Sequence, residues 1–367
     1  MRGYEKRASI VQDLGDTIFK LVCDRATPEQ WAEWLRVPLE HAAATANDDL
    51  VSKLLRAGAN GGGGYRGCHD KTLLHAAAEG GNVHVVSTLH RAGAGSEMDT
   101  KTPGTGHTPL HLAVLGGNAA AAKTLILAGA DVNVRDDKND CPLHLAIQER
   151  HVEIAEYLLL SGADPNLQGS TPALPIHLAV DSSQDEIVVA LAHRGVDLNW
   201  QDYINDGPLS LAMCQDHMST LRVLLAEGAD VNHRHEYDNE TALHYAAQYD
   251  KGAAIPVLME AGGDIESPDI FGRTPLFFAA RSGSCAAARA LLELGADANT
   301  ACVSWSTTPL HAACRQGEAD VADLLLRWGA DETAKTSEET LPARTYQPSP
   351  TLRTKVIAGD SNAYPSC

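Results

Sequence analysis

Histidine is the residue of this 367-residue chain with the most chemical potential, and its placement is regular. His75, His111, His144, His177, His244 and His311 sit in near-identical local contexts, most often preceded by Leu and followed two positions later by Ala. Recurrent histidines suggest a metal. Two ligands of one zinc lie about 2 Å from the ion, hence within roughly 4 Å of each other. Equivalent side chains of stacked helical units stand about 8–10 Å apart, so one histidine per unit cannot gather on one ion. His233-Arg234-His235 is a tighter case. In an extended segment its two histidines share a face, with Glu236 alongside, but no second ligand pair accompanies them. Solvated residues of a turn are the simpler account.

Nucleophilic and phosphate chemistry find no foothold. The sequence has no GxSxG elbow, Walker loop or kinase signature, and the run Gly61 to Gly64 lacks the following Lys-Ser/Thr of a phosphate cradle. Carboxylate pairs such as Asp48-Asp49 and Asp136-Asp137 fall in turn-rich segments, where they ionise normally. Eight scattered cysteines form no CxxC pair and are read as reduced thiols of a cytosolic or nuclear protein. No catalytic centre, metal or cofactor is expected. Lys plus Arg number 29 against 48 Asp plus Glu, a net charge of −19 that repels nucleic acid and anionic lipid. No apolar run reaches membrane-spanning length, and no secretion signal opens the sequence.

The elements that carry these residues repeat. Take as anchors Glu40, His75, His111, His144, His177, Ser210, His244, Phe277 and His311; a glycine follows each by 18 residues, from Gly58 to Gly329. Successive anchors step by 35, 36, 33, 33, 33, 34, 33 and 34 residues, so insertions fall only between a glycine and the next anchor. A persistent period near 33 marks a stacked solenoid. Two residues after every anchor stands Ala, and four before every glycine stands Leu. Small residues let helices approach, and leucines fill the seam between them. Thr108-Pro109-Leu110-His111 reads as a helix start, with Thr as N-cap and Pro at the first helical position. The registered glycine closes a second helix in the left-handed conformation. A polar segment such as Asn133 to Asp140 then forms a hairpin-like finger.

TPLHLAVLGGN from Thr108, TALHYAAQYD from Thr241 and TPLHAACRQGE from Thr308, each closed by Gly-Ala-Asp or a near variant, resemble the ankyrin repeat family. The resemblance covers about nine units between Val37 and Thr333. It implies an all-α ankyrin-repeat solenoid of stacked helix-turn-helix units with β-hairpin-like fingers. It also implies a structural histidine that bonds backbone groups of the neighbouring repeat, and a concave face of fingers and first helices that binds other proteins. Asn133, Asn166, Asn199, Asn232 and Asn299 stand in the context that asparaginyl hydroxylases recognise in this family, although asparagine also stabilises such a turn by itself. Three departures stand out: Ser210 and Phe277 in the histidine slot, and Pro256 inside a second helix, which it should kink unless that helix begins late.

The expected organisation is a helical cap over residues 1–36, the array over 37–334 and a disordered tail over 335–367. Body positions are accounted for by packing; aromatics and arginines elsewhere are the usual anchors of interfaces. Trp200, Tyr203, Arg234, Tyr237, Phe271 and Trp305 lie in fingers, and Tyr249, Arg281 and Arg315 on first helices. The expected role is a monomeric, non-catalytic scaffold or adaptor for partner proteins. The rival expectation is a substrate-recognition subunit for a separate ubiquitin ligase or kinase.

Overall fold

The computed structural model describes residues 36–45, 47–56, 71–171, 174–201 and 207–335, with the backbone alone at 36, 37, 56 and 96. Apart from Arg36 and Lys335, the expected cap and tail lie outside these residues, as do the Gly61 to Gly64 run and Tyr203.

Eighteen α-helices form nine pairs, and no strand occurs among the described residues. They fall into two compact units, divided between Val196 and Asp197. The first holds α1 (Arg36–Ala44), α2 (Asp48–Arg56), α3 (Leu73–Glu79), α4 (Val83–Arg91), α5 (Pro109–Leu115), α6 (Ala119–Leu127), α7 (Pro142–Gln148), α8 (Val152–Leu160), α9 (Pro175–Asp181) and α10 (Asp185–Ala192). The second holds α11 (Pro208–Cys214), α12 (Met218–Ala226), α13 (Ala242–Gln248), α14 (Ala254–Glu260), α15 (Pro275–Ser282), α16 (Cys285–Glu293), α17 (Pro309–Gln316) and α18 (Ala319–Arg327). Within each unit the odd-numbered first helices pack on one another in sequence order. Each also packs on the second helix of its own pair.

Repeated small and large apolar residues drive this stacking. All nine registered alanines, Ala42 to Ala313, are 0% exposed, and the nine registered leucines are at most 1% exposed. The alanine removes the bulk that would hold two first helices apart, and the leucine occupies the seam behind it. The registered glycines that are described have φ from 77° at Gly195 to 104° at Gly93, the left-handed region that turns the chain out of the second helix. Pro256 does no damage, because α14 starts late: Pro256 is its third residue, where no intrahelical partner for an N–H is required. The helix is seven residues long, against nine in α16.

The fingers among the described residues are hairpin-like in outline but held by turns rather than a ladder. In one, Asp136 N–H donates to the Asp140 carbonyl at 2.8 Å, while Asp136 Oδ1 accepts from the backbone of Lys138 and Asp140. Asp269 does the same in another, accepting from the backbone of Phe271 and Arg273.

Candidate functional site

The repeated histidine is a bridge between repeats. In α3 the His75 Nδ1 accepts from the Thr72 backbone N–H at 3.1 Å, while His75 Nε2 lies 3.0 Å from the His107 carbonyl. A carbonyl only accepts, so Nε2 carries the proton and the ring is neutral. His111 repeats the pattern with Thr108 and the Asp140 carbonyl, and His244 with Thr241 and the Arg273 carbonyl. Burial pushes the pKa of His75 and His111 from 6.5 down to about 4, and lowers those of His144, His244 and His311. In His75, His111 and His244 both ring nitrogens are bonded, which leaves none for acid–base work, whereas the buried Nε2 of His144 and of His311 has no hydrogen-bond partner among the described residues.

Cys141 replaces Thr at the N-cap of α7, and its Sγ lies 2.9 Å from His144 Nδ1. The pairing looks like a Cys–His dyad, but both groups are buried. Burial raises the thiol pKa and lowers the imidazole pKa, which favours neutral thiol and neutral ring over the thiolate–imidazolium pair that a nucleophile needs. Among the described residues no group of three or more His, Cys, Asp or Glu is placed to hold a metal ion. No described helix is long and apolar enough to cross a membrane.

In α15 Phe277 occupies the histidine slot, and the buried Thr274 hydroxyl has no hydrogen-bond partner. Phe277→His should supply one with a somewhat smaller ring. A gain of about 1 kcal/mol is expected, read as a raised unfolding temperature; an unchanged or lowered value would show that the ring cannot reach Thr274.

The asparagines form a second set of bridges. Asn133 Nδ2 donates to the Gly162 carbonyl at 3.3 Å, and its Oδ1 accepts from the Asp164 N–H at 2.8 Å. Asn232 and Asn299 repeat both bonds on the next repeat, and Asn199 accepts from the Asp230 N–H. Asn166 is exposed, and its own N–H is held by Asp164 Oδ1. Glu266 takes over where one repeat lacks the asparagine, accepting from the Asp297 N–H and the Thr300 hydroxyl. A hydroxylase acting on Asn133, Asn232 or Asn299 would first have to break these bonds.

The finger tips of the second unit carry an apolar strip. Tyr237 is 78% exposed, Ile270 51%, Phe271 36%, Val303 86% and Trp305 44%. Phe271 and Trp305 stack with centroids 5.8 Å apart, and the Arg273 guanidinium covers the Phe271 ring at 4.8 Å. The Ile270 N–H donates to the Asp238 carbonyl, tying adjacent tips together. Ile270 and Val303 were not legible as site residues; the only signal was an aliphatic side chain in a stretch otherwise polar.

The other candidates scatter. Arg234 is exposed, but its guanidinium cross-links fingers, donating to the Pro268 carbonyl and the Ser267 hydroxyl. Trp200 is half-buried. Tyr249 is half-exposed against Tyr245, centroids 4.6 Å apart. Arg281 is exposed beside the Phe278 ring, and Arg315 is exposed on α17.

A family model of ankyrin repeats (three copies) matches residues 39–136, 74–169, 124–202, 176–269 and 252–336. Among solved structures, the chain is similar to the ankyrin repeat domain of Bcl-3, described as a unique member of the IkappaB protein family. The TM-score is 0.54 at 26% identity, covering 60% of this chain and 99% of that one. No curated protein matches.

Proposed function

We propose, from the premise that this chain belongs to the ankyrin repeat family, that it is a protein-binding scaffold whose second unit docks a partner along its finger tips. Ankyrin repeats are generally protein-interaction modules, and proteins built from them are generally non-catalytic. The observation that carries the reading is the strip of Tyr237, Ile270, Phe271, Val303 and Trp305, large apolar side chains held in the open. An apolar strip on an otherwise charged surface marks an interaction site. Its tips are tied to one another by backbone and guanidinium bonds, so a partner meets a preformed surface and little ordering is required on this side.

Affinity purification of partners with the full chain, comparing wild type with Val303→Asp/Trp305→Ala, tests this. Recovery of the principal partner should fall about tenfold or more with the unfolding temperature unchanged. Equal recovery by the stable double variant would remove the finger tips from the docking face.

A further inference from the structure

One repeat of the second unit lacks both partners of the histidine bridge. Helix α11 starts Gly207-Pro208-Leu209-Ser210, and Gly207 makes no side-chain cap bond. In three other repeats the ring in this slot reaches the carbonyl of the residue just before the next helix cap, as His244 reaches Arg273 before Thr274. The corresponding residue for Ser210 is Glu240, before Thr241. A cavity of about 310 Å³ opens here, and Ser210, Glu240 and Thr241 all line it. Ser210 is half-buried, whereas the five capping-box histidines are at most 8% exposed. With Ser in place of an imidazole, the slot lies open to this cavity.

The lining is rich in acceptors, with His233 and His235 beside them and the His235 Nδ1 2.7 Å from Asp238 Oδ1. Glu240 and Asp230 contribute carboxylates, and the Ser210 hydroxyl and Gln201 amide contribute further acceptors. Gln201 Oε1 is buried without a hydrogen-bond partner. Tyr245 and Tyr249, with rings 4.6 Å apart, supply aromatic surface. Neither Lys nor Arg is among the lining residues described. The nearby cation of Glu240 is Arg273 at 4.0 Å, and that guanidinium is bound more closely by Asp269, at 2.6 and 2.5 Å. Burial, and then the Asp238 charge, hold the Glu240 carboxyl above the usual carboxylate range. A cation entering the cavity would offset both.

We propose that this cavity receives the guanidinium of an arginine presented by a basic partner segment. The inference rests on the protein-docking reading and names the partner's chemistry. Arginine fits better than lysine because its planar fork offers five donors to spread over Glu240, Gln201 and Ser210, and its face stacks on tyrosine. A net charge of −19 draws such a segment in.

The full chain is titrated with Ac-Gly-Arg-Gly-NH2 and followed by NMR at Tyr245, Tyr249 and the Gln201 amide. Saturable binding is expected, weaker by about tenfold or more with the lysine and citrulline peptides. Ser210→His, which sets an imidazole into the Glu240 side of the cavity, should weaken it by about tenfold or more without lowering the unfolding temperature. Glu240→Gln should weaken it by about tenfold or more and serves if the histidine variant fails to fold. Absence of saturation, equal binding of the citrulline peptide, or binding unchanged in the folded Ser210→His or Glu240→Gln variant overturns the proposal. The peptides contain no partner protein, so these outcomes concern the cavity alone; the finger-tip reading stands or falls on the Val303→Asp/Trp305→Ala recovery.

Discussion

Acidification from pH 6.5 to pH 4 should strip most of the stability from this protein, well before its carboxylates are fully protonated. In the native state the pKa values of His75 and His111 lie near 4, against 6.5 in the ordinary case, because burial disfavours the charged ring. In the unfolded chain both titrate near 6.5. Between these values the unfolded state holds protons that the native state does not, so stability falls as pH falls across that window. Below about pH 4 this contribution is fully lost. Each of the two rings accounts for about 3 kcal/mol over the full window, and His144, His244 and His311 act in the same direction. Against a typical total of about 5–15 kcal/mol, the sum is decisive. Thermal unfolding followed by circular dichroism at pH 7, 6, 5 and 4.5 should show a steadily falling transition. A transition that stays level down to pH 5 would mean that the native rings titrate as the unfolded ones do, so that burial and the Nδ1 acceptor bonds do not hold the proton off.

His111→Ala should cost about 3–4 kcal/mol, a large loss for one polar residue. The ring is 0% exposed and stacks on His107 with centroids 5.8 Å apart. Truncation leaves a buried hole and also removes the acceptor of the Thr108 N–H and the donor to the Asp140 carbonyl. Urea unfolding of the variant at pH 7 measures the loss. The same variant should also show a shallower pH dependence between 6.5 and 4, since one of the protonating groups is gone. A cost under about 1 kcal/mol would show that water replaces the ring, and the bridge would then be dispensable.

Much of this architecture can be read from the residues because its cause is periodic. The Ala two positions after each anchor and the Leu four before each glycine are buried in all nine repeats, since each repeat meets the same neighbour in the same way. The hairpin-like fingers lack a ladder because side chains such as Asp136 and Asp269 take the backbone donors that a second strand would have used. The candidate site was less legible, because it depends on which fingers touch. Phe271 and Trp305 are far apart in sequence and stack, whereas Arg234 looks like an interface anchor and is in fact held by Pro268 and Ser267. Ser210 is visible as a departure from pattern. The cavity is not, because Glu240, Gln201 and Tyr249 come to it from separate segments.

Every histidine and asparagine bridge described above joins residues 29 to 32 positions apart, whether it lies early or late in the chain. The entropic toll of closing a loop is thus the same short one each time. Assembly within each unit has no reason to slow as repeats are added, because a newly formed hairpin needs only the one beside it as a template. Ribosomal synthesis delivers those hairpins in that order. The first unit is therefore equipped to zip up from its early helices while later ones are still being made, with the imidazoles of His75 and His111 latching onto the carbonyl of the next repeat as it emerges.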